Sequence, residues 1–208
     1  MMDDQKLLTI FYHDIFEYPL TANELEKWKI GGKFLVTSRQ FPVAQKGGYY
    51  FLKGRGELIK MRQEREKIAK KKTQIASKAA GILKIIPSVR LVGVTGALAM
   101  GNTKAESDID LMIVTSVDTL WLTRLVAYAI LGLAGFKIRR AGETNEKDKL
   151  CLNMWLDENN LIWSVKDRNM YSAHEFGQLV PLVNKNQTYE HLMHKNRWVK
   201  DYWPNIKV

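Results

Sequence analysis

Leu7, Leu8, Phe11 and Ile15 recur at helical spacing through residues 5–17, predicting a short amphipathic helix that Pro19 ends. Thr21-Ala22-Asn23-Glu24 has the form of a capping box. In it the threonine hydroxyl and the glutamate carboxylate satisfy each other's free backbone N–H groups, so a second short helix starts there. The pattern then changes to two β-prone segments, Val43-Ala44 and Tyr49-Tyr50-Phe51-Leu52, around Lys46-Gly47-Gly48, which predicts a hairpin. Leu58, Met61, Ile68, Ile75, Ala79 and Ile82 mark one apolar stripe over 56–84, the longest helix, closed by Pro87. Beyond Pro87 strands are predicted over 89–94, 109–114, near 136–140 and over 150–156, with an apolar helix from about 119 to 134 between the second and third. The loop over 142–149 is polar and reads as mobile. Two helices, 171–183 and 189–202, close the chain.

This order predicts an α/β (α+β) fold: a small mixed sheet backed by helices, with a helical leader and a helical tail. The expected divisions are a leader over 1–55, a connecting helix over 56–87, a core over 88–165 and a tail over 166–208. Short helices followed by a hairpin resemble a winged-helix module, in pared-down form. The stretch 30–40, where a recognition helix would lie, contains Gly31-Gly32 and no amphipathic stripe. Residues 125–136 are apolar throughout, but 12 residues are too few to span a bilayer, and the segment reads as a buried helix.

Charge adds a second clue. The net charge of +10 and a pI near 9.6 favour a polyanionic partner. Lys60, Arg62, Arg65, Lys67, Lys70, Lys71, Lys72 and Lys78 on the 56–84 helix are the candidate footprint for nucleic acid, weighed against a merely solvated face. Three consecutive lysines cannot share one helix face, so part of the run is solvated. A single cysteine, Cys151, excludes an internal disulfide framework and reads as an inert thiol. With no signal peptide at Met1-Met2-Asp3-Asp4, a cytoplasmic protein without membrane attachment is expected.

The chemistry concentrates in Val92-Gly93-Val94-Thr95-Gly96-Ala97 and, ten residues on, Asp108-Ile109-Asp110-Leu111. Side chains alternate along a strand, so Asp108 and Asp110 point to one face. Two carboxylates there repel unless a cation neutralises them, and magnesium, held by carboxylates plus substrate phosphates, is the natural guest. The glycine turn lies where its backbone N–H groups can approach a phosphate. Taken with Ser107 and the run Met112-Ile113-Val114, this pattern resembles the signature of the nucleotidyltransferase superfamily related to DNA polymerase beta, over residues 89–157. The whole chain also resembles a microbial group of such enzymes with a winged-helix-like leader. There the tail resembles Tyr171-Ser172-Ala173-His174-Glu175 and Asn196-Arg197-Trp198-Val199.

The resemblance implies two-metal transfer of a nucleoside monophosphate from an NTP to a hydroxyl acceptor, with release of pyrophosphate. It implies Asp108 and Asp110 as ligands of Mg2+, with Mn2+ as the alternative, and Thr95, Gly96, Ala97 and Ser107 around the nucleotide. Two departures stand out. Ala97 replaces a frequent serine, and the third carboxylate, expected on a later strand, is not clear. In the 150–157 strand, Asn153 and Asp157 share a face by parity, about 13 Å apart, so only one can serve. Asn153 sits mid-strand and is favoured; an amide ligates magnesium weakly and accepts no proton. A catalytically weakened homologue that binds nucleotide or nucleic acid as a regulator is therefore the alternative. The His191/His194 pair reads as a surface pair, and Trp198, Tyr202 and Trp203 as core anchors. The pattern leaves acceptor and oligomeric state open.

Overall fold

The computed structural model describes residues 4–32, 43–140 and 142–207; most of the 30–40 stretch lies outside them. Its helices and strands follow in the order α1 (Asp4–Asp14), β1 (Leu20–Thr21), α2 (Ala22–Lys27), β2 (Val43–Lys46), β3 (Tyr49–Leu52) and α3 (Leu58–Leu83). Then come β4 (Val89–Val94), α4 (Gly96–Ala99), β5 (Ile109–Thr115), α5 (Leu120–Leu133) and β6 (Leu150–Asp157). The chain ends with α6 (Met170–Gln178), β7 (Val180–Asn184), α7 (Thr188–Lys195) and α8 (Val199–Tyr202). This is the mixed α+β class the pattern predicts. The described residues form two compact units, one of 1–64, 169–177 and 197–208, the other of 65–168 and 178–196.

The first unit holds a three-stranded antiparallel sheet in the order β1-β3-β2. Gly47 and Gly48 both take positive φ (59° and 82°), the primed turn that matches the strand twist, so the hairpin forms where the Gly-Gly pair stands. The capping box at α2 is complete: Thr21 Oγ1 accepts from Glu24 N, and Glu24 Oε2 accepts from Thr21 N at 2.8 Å. Glu24 also receives both guanidinium nitrogens of Arg62, at 2.8 and 2.7 Å, and the Tyr18 hydroxyl at 2.7 Å. Behind them lies an aromatic core of Tyr12, His13, Trp28, His174 and Trp203, with ring centroids 4.4–6.1 Å apart.

The second unit is built on a four-stranded sheet, β6-β5-β4-β7, antiparallel except for the β5/β6 pair. One face of β5, carrying Ile109, Leu111 and Ile113, packs with Ala76, Ala79 and Leu83 of α3 and with Ala127 and Leu131 of α5. The tail departs from the predicted pattern here. The helix expected over 171–183 ends at Gln178, and Val180–Asn184 pairs with β4 as an edge strand. β-branched Val180 and Val183 suit a strand, and Pro181, which has no N–H to give, is tolerated at an edge. Of the strand expected near 136–140, only an Ile138–Leu150 bridge forms.

The most consequential difference lies in α3. Its buried positions are Leu58, Arg62, Arg65, Ala69, Lys72, Ala76, Ala79, Ala80 and Leu83, a stripe adjoining the predicted one and including three cations. Each cation is buried because it is paired: Arg62 with Glu24, Arg65 with Asn102 Oδ1 at 3.1 Å, and Lys72 with three oxygens near the site. Lys60, Lys67, Lys70, Lys71 and Lys78 remain exposed, so the candidate nucleic-acid footprint loses three of its eight charges. Among the described residues no helix is long and apolar enough to cross a membrane.

The aromatic core makes the first unit acid-sensitive. His13 Nδ1 donates to the Thr9 carbonyl at 2.9 Å, leaving Nε2 buried without a hydrogen-bond partner among the described residues. Burial holds its pKa down to about 4, and burial, reinforced by His13 and Lys27, holds that of His174 down to about 2. The unfolded chain takes up these protons near pH 6.5, so stability is full above that and falls as pH drops, through about 4 for His13. Glu24, held down to about 2 by Arg62 and Thr21 against the opposing effect of burial, loses its contribution in the same direction below 4.5. Near-UV circular dichroism melts from pH 7 to 4 should show a falling Tm, with a loss on the order of 3 kcal/mol from His13 alone. In His174→Phe the slope should be shallower.

Candidate functional site

Strand alternation sets the Asp110 side chain on the face of β5 opposite the one that packs with α3 and α5. Asp108 leads into the same face. The carboxylate oxygens of Asp108 and Asp110 and the sulfur of Cys151 lie within 4.8 Å of one another, the one such cluster among the described residues. Cys151 is there because it stands opposite Asp110 in the β5/β6 register. The Asp110 pKa is pushed up to about 6, first by burial and then by the Asp108 charge. The Cys151 thiol is pushed up to about 12, by burial and then by the two aspartates. Two carboxylates and a thiol that resists ionisation favour a hard, oxygen-seeking cation over a soft one. The residues therefore fit Mg2+ or Mn2+.

The glycine turn meets this cluster directly. Gly96 has φ +62°, and a Cβ there would stand 2.9 Å from Asp110 Oδ2. Its glycine is thus required by the carboxylate as well as by the backbone. Thr95 N donates to the Asp110 carbonyl at 3.1 Å, tying the turn to β5, while Asn102 N donates to Ala97 O at 2.8 Å and closes α4 behind it. Ser107 contributes through its backbone: its carbonyl accepts from Lys72 Nζ at 2.7 Å, one residue before Asp108. The same ammonium donates to Ala105 O at 3.1 Å and to Asp148 Oδ1 at 2.7 Å. Lys72 therefore fixes the approach to Asp108 from below.

Asn153 reaches the cluster, with Nδ2 donating to Asp110 Oδ1 at 2.8 Å. Asp157 does not, although simple alternation sets both residues on one face. Between the Asp110–Cys151 and Met112–Met154 pairs, β6 advances three residues against two on β5. This bulge reverses the parity beyond it. Asp157 is buried, and its carboxylate accepts from Asp118 N and Asn159 N, both at 2.8 Å, as the anchor of two turns.

Two participants, Arg139 and Glu146, carry no local sequence signal for the site. Arg139 Nη1 donates to Asp108 Oδ2 at 2.8 Å, and its Nη2 pairs with Glu146. Cys151, an inert thiol as expected, also shares the cluster. Arg139 precedes the mixed-charge 142–149 loop and Glu146 lies within it, and the Ile138–Leu150 bridge brings Arg139 beside the aspartates. A hollow of about 210 Å3, lined by Tyr128, Arg139, Arg140, Cys151 and Leu152, adjoins them. A larger groove of about 590 Å3 runs between α3 and Leu98–Gly101, away from the two aspartates. His191 and His194 are exposed, and Trp198 and Trp203 are buried.

No protein-family model matches the chain, and no curated protein matches it. Among solved structures it is similar to a toxin–antitoxin with AMP-PNP, at 12% identity and TM-score 0.33 over 60% of this chain and 89% of that one. It is also similar to a mutant of the toxin–antitoxin MntA-HpeT, at 11% identity and TM-score 0.32 over 59% and 87%. Likeness at this level assigns no chemistry to this chain.

Gly96→Ala should cost about 1–3 kcal/mol in urea unfolding, from the positive φ and the displaced Asp110 carboxylate. Lys72→Met should cost about 2 kcal/mol, because two carbonyls and Asp148 lose their donor. An unchanged midpoint in either variant would contradict the geometry described.

Proposed function

We propose that this chain is a metal-dependent nucleotidyltransferase, moving a nucleoside monophosphate from an NTP to a hydroxyl acceptor with release of pyrophosphate. The observation that carries the reading is the Asp108–Asp110 pair, both on one strand face, with Asp110 against the Gly96 turn. Burying a carboxylate beside a like charge is costly, as the Asp110 pKa, raised first by burial and then by Asp108, records, and a bound cation offsets that cost. Asp108 and Asp110 would hold Mg2+ or Mn2+, which supplies charge neutralisation for the triphosphate and acidifies the attacking hydroxyl. The backbone of Thr95, Gly96 and Ala97, with Ser107 on the other side, would orient the phosphates.

In the transfer, the acceptor oxygen bonds to the α-phosphorus, the bond to the bridging oxygen breaks, and pyrophosphate leaves. The hydroxyl proton goes to solvent in this scheme, because Asn153 carries an amide where a base would stand. Asn153 would instead orient Asp110. Arg139 is the chain's own cation at Asp108, and it competes with a metal for that oxygen. When displaced it is free to meet a phosphate.

The alternative reading, a regulator that binds nucleotide or nucleic acid without turnover, draws on the same amide at 153. The five exposed lysines of α3 would serve it. Steep loss of nucleic-acid binding as salt rises would support it.

Calorimetric titration of each of the four NTPs, with and without Mg2+, tests the first reading on wild type and Asp110→Asn. Magnesium-dependent binding that the variant loses is expected; no binding to wild type under any condition overturns it. Arg139→Gln should bind Mn2+ several-fold more tightly than wild type in the absence of nucleotide, since its guanidinium no longer competes for Asp108. Equal or weaker Mn2+ affinity would remove Arg139 from this role.

A further inference from the structure

We propose that the outward face of α5 is a contact surface for a second copy of this chain. Leu120–Leu133 contains one charged residue, Arg124, and is apolar around its circumference. Such a helix is normally covered on every side. Its inner residues, Thr123, Ala127 and Leu131, are buried against the sheet. Its outer residues are not: Trp121 is 77% exposed, Leu122 67%, Leu125 69% and Leu133 90%. Ala129 and Gly132 are exposed beside them. At the helical repeat these six positions fall within about 120° of one face.

The four large side chains offer on the order of 500 Å2 of apolar surface, toward the upper end of what a monomer leaves in water. A stable interface covers about 800 Å2 on each partner, so this patch supplies its apolar centre, with neighbouring residues as the rim. Charge favours a meeting on this face. Two copies at +10 each repel, and the helix face that brings them together has to be free of cations. Arg124 stands to one side, 5.8–5.9 Å from the ring centroids of Trp121, Tyr128 and Trp155.

The order of large and small residues selects a second copy over other occupants. Two identical helices packed antiparallel about a two-fold axis at the level of Ala127 set Leu125 against Ala129, Leu122 against Gly132 and Trp121 against Leu133. In two of these three pairings a large residue thus lands on a small one, which is what interdigitation needs. A lipid surface, flat on this scale, gains nothing from that alternation.

Sedimentation velocity of the full chain, from low to high micromolar concentration, tests this. Wild type should move from 24.0 kDa toward twice that mass. Leu125→Glu should stay monomeric throughout with an unchanged melting temperature, because Leu125 is exposed in one copy. Leu125→Lys and Ala129→Glu should each be monomeric alone and regain the doubled mass when mixed, one contact becoming an ion pair and the other staying native. A wild type that remains monomeric, a dimer that survives Leu125→Glu, or a mixture that fails to recover would overturn the proposal. So would monomeric wild type binding to phosphatidylglycerol vesicles through a contact that Leu125→Glu abolishes, which would give the face to lipid.

Discussion

The buried cations of α3 constrain both units. A guanidinium or ammonium leaves water only where its donors find oxygen, since an unpaired buried charge costs several kcal/mol. Arg62 finds Glu24, Arg65 finds Asn102, and Lys72 finds the carbonyls of Ala105 and Ser107 and the Asp148 carboxylate. An apolar stripe tolerates sliding and rotation by a fraction of a turn. Arg62 resists such sliding within the first unit, and Arg65 and Lys72 resist it within the second, because an altered register strands a charge. Through Lys72 the constraint reaches the loop that delivers Asp108 to β5.

The candidate site is assembled from the opposite balance, in which like charges are held together. Asp110 is packed against Gly96 with no room for a methyl group, Asp108 lies beside it, and partial burial leaves Asp110 poorly solvated. The guanidinium of Arg139 offsets part of that repulsion through Asp108, while Glu146 holds the guanidinium from the other side. Such a charge arrangement responds to a cation more strongly than to any neutral ligand.

The bulge in β6 decides which residues attend the pair. One extra residue between Cys151 and Met154 keeps Asn153 on the aspartates' face and sends Asp157 to the other, where it anchors two turns. A carboxylate of suitable chemistry is thereby excluded and an amide admitted. The outward face of α5 shows the converse, an apolar surface that the single chain leaves in water.

Local signals in the sequence determined much of this. The capping box at Thr21, the Gly-Gly turn at 47–48, the strands around the glycine turn and the shared face of Asp108 and Asp110 all follow from interactions spanning a few residues, so their patterns are legible one window at a time. Tertiary structure decided the rest. Whether Arg62, Arg65 and Lys72 face water or the interior depends on acceptors 33 to 76 residues away for Lys72, and 37 and 38 away for Arg65 and Arg62. Val180–Val183 fit a helical pattern as well as a strand until the open edge of β4 offered hydrogen bonds. The parity of Asp157 and the arrival of Arg139 at Asp108 depend on strand pairing, which periodicity along one strand does not encode. Short-range stereochemistry writes itself into the sequence; the partner of a buried charge is settled only when the chain closes on itself.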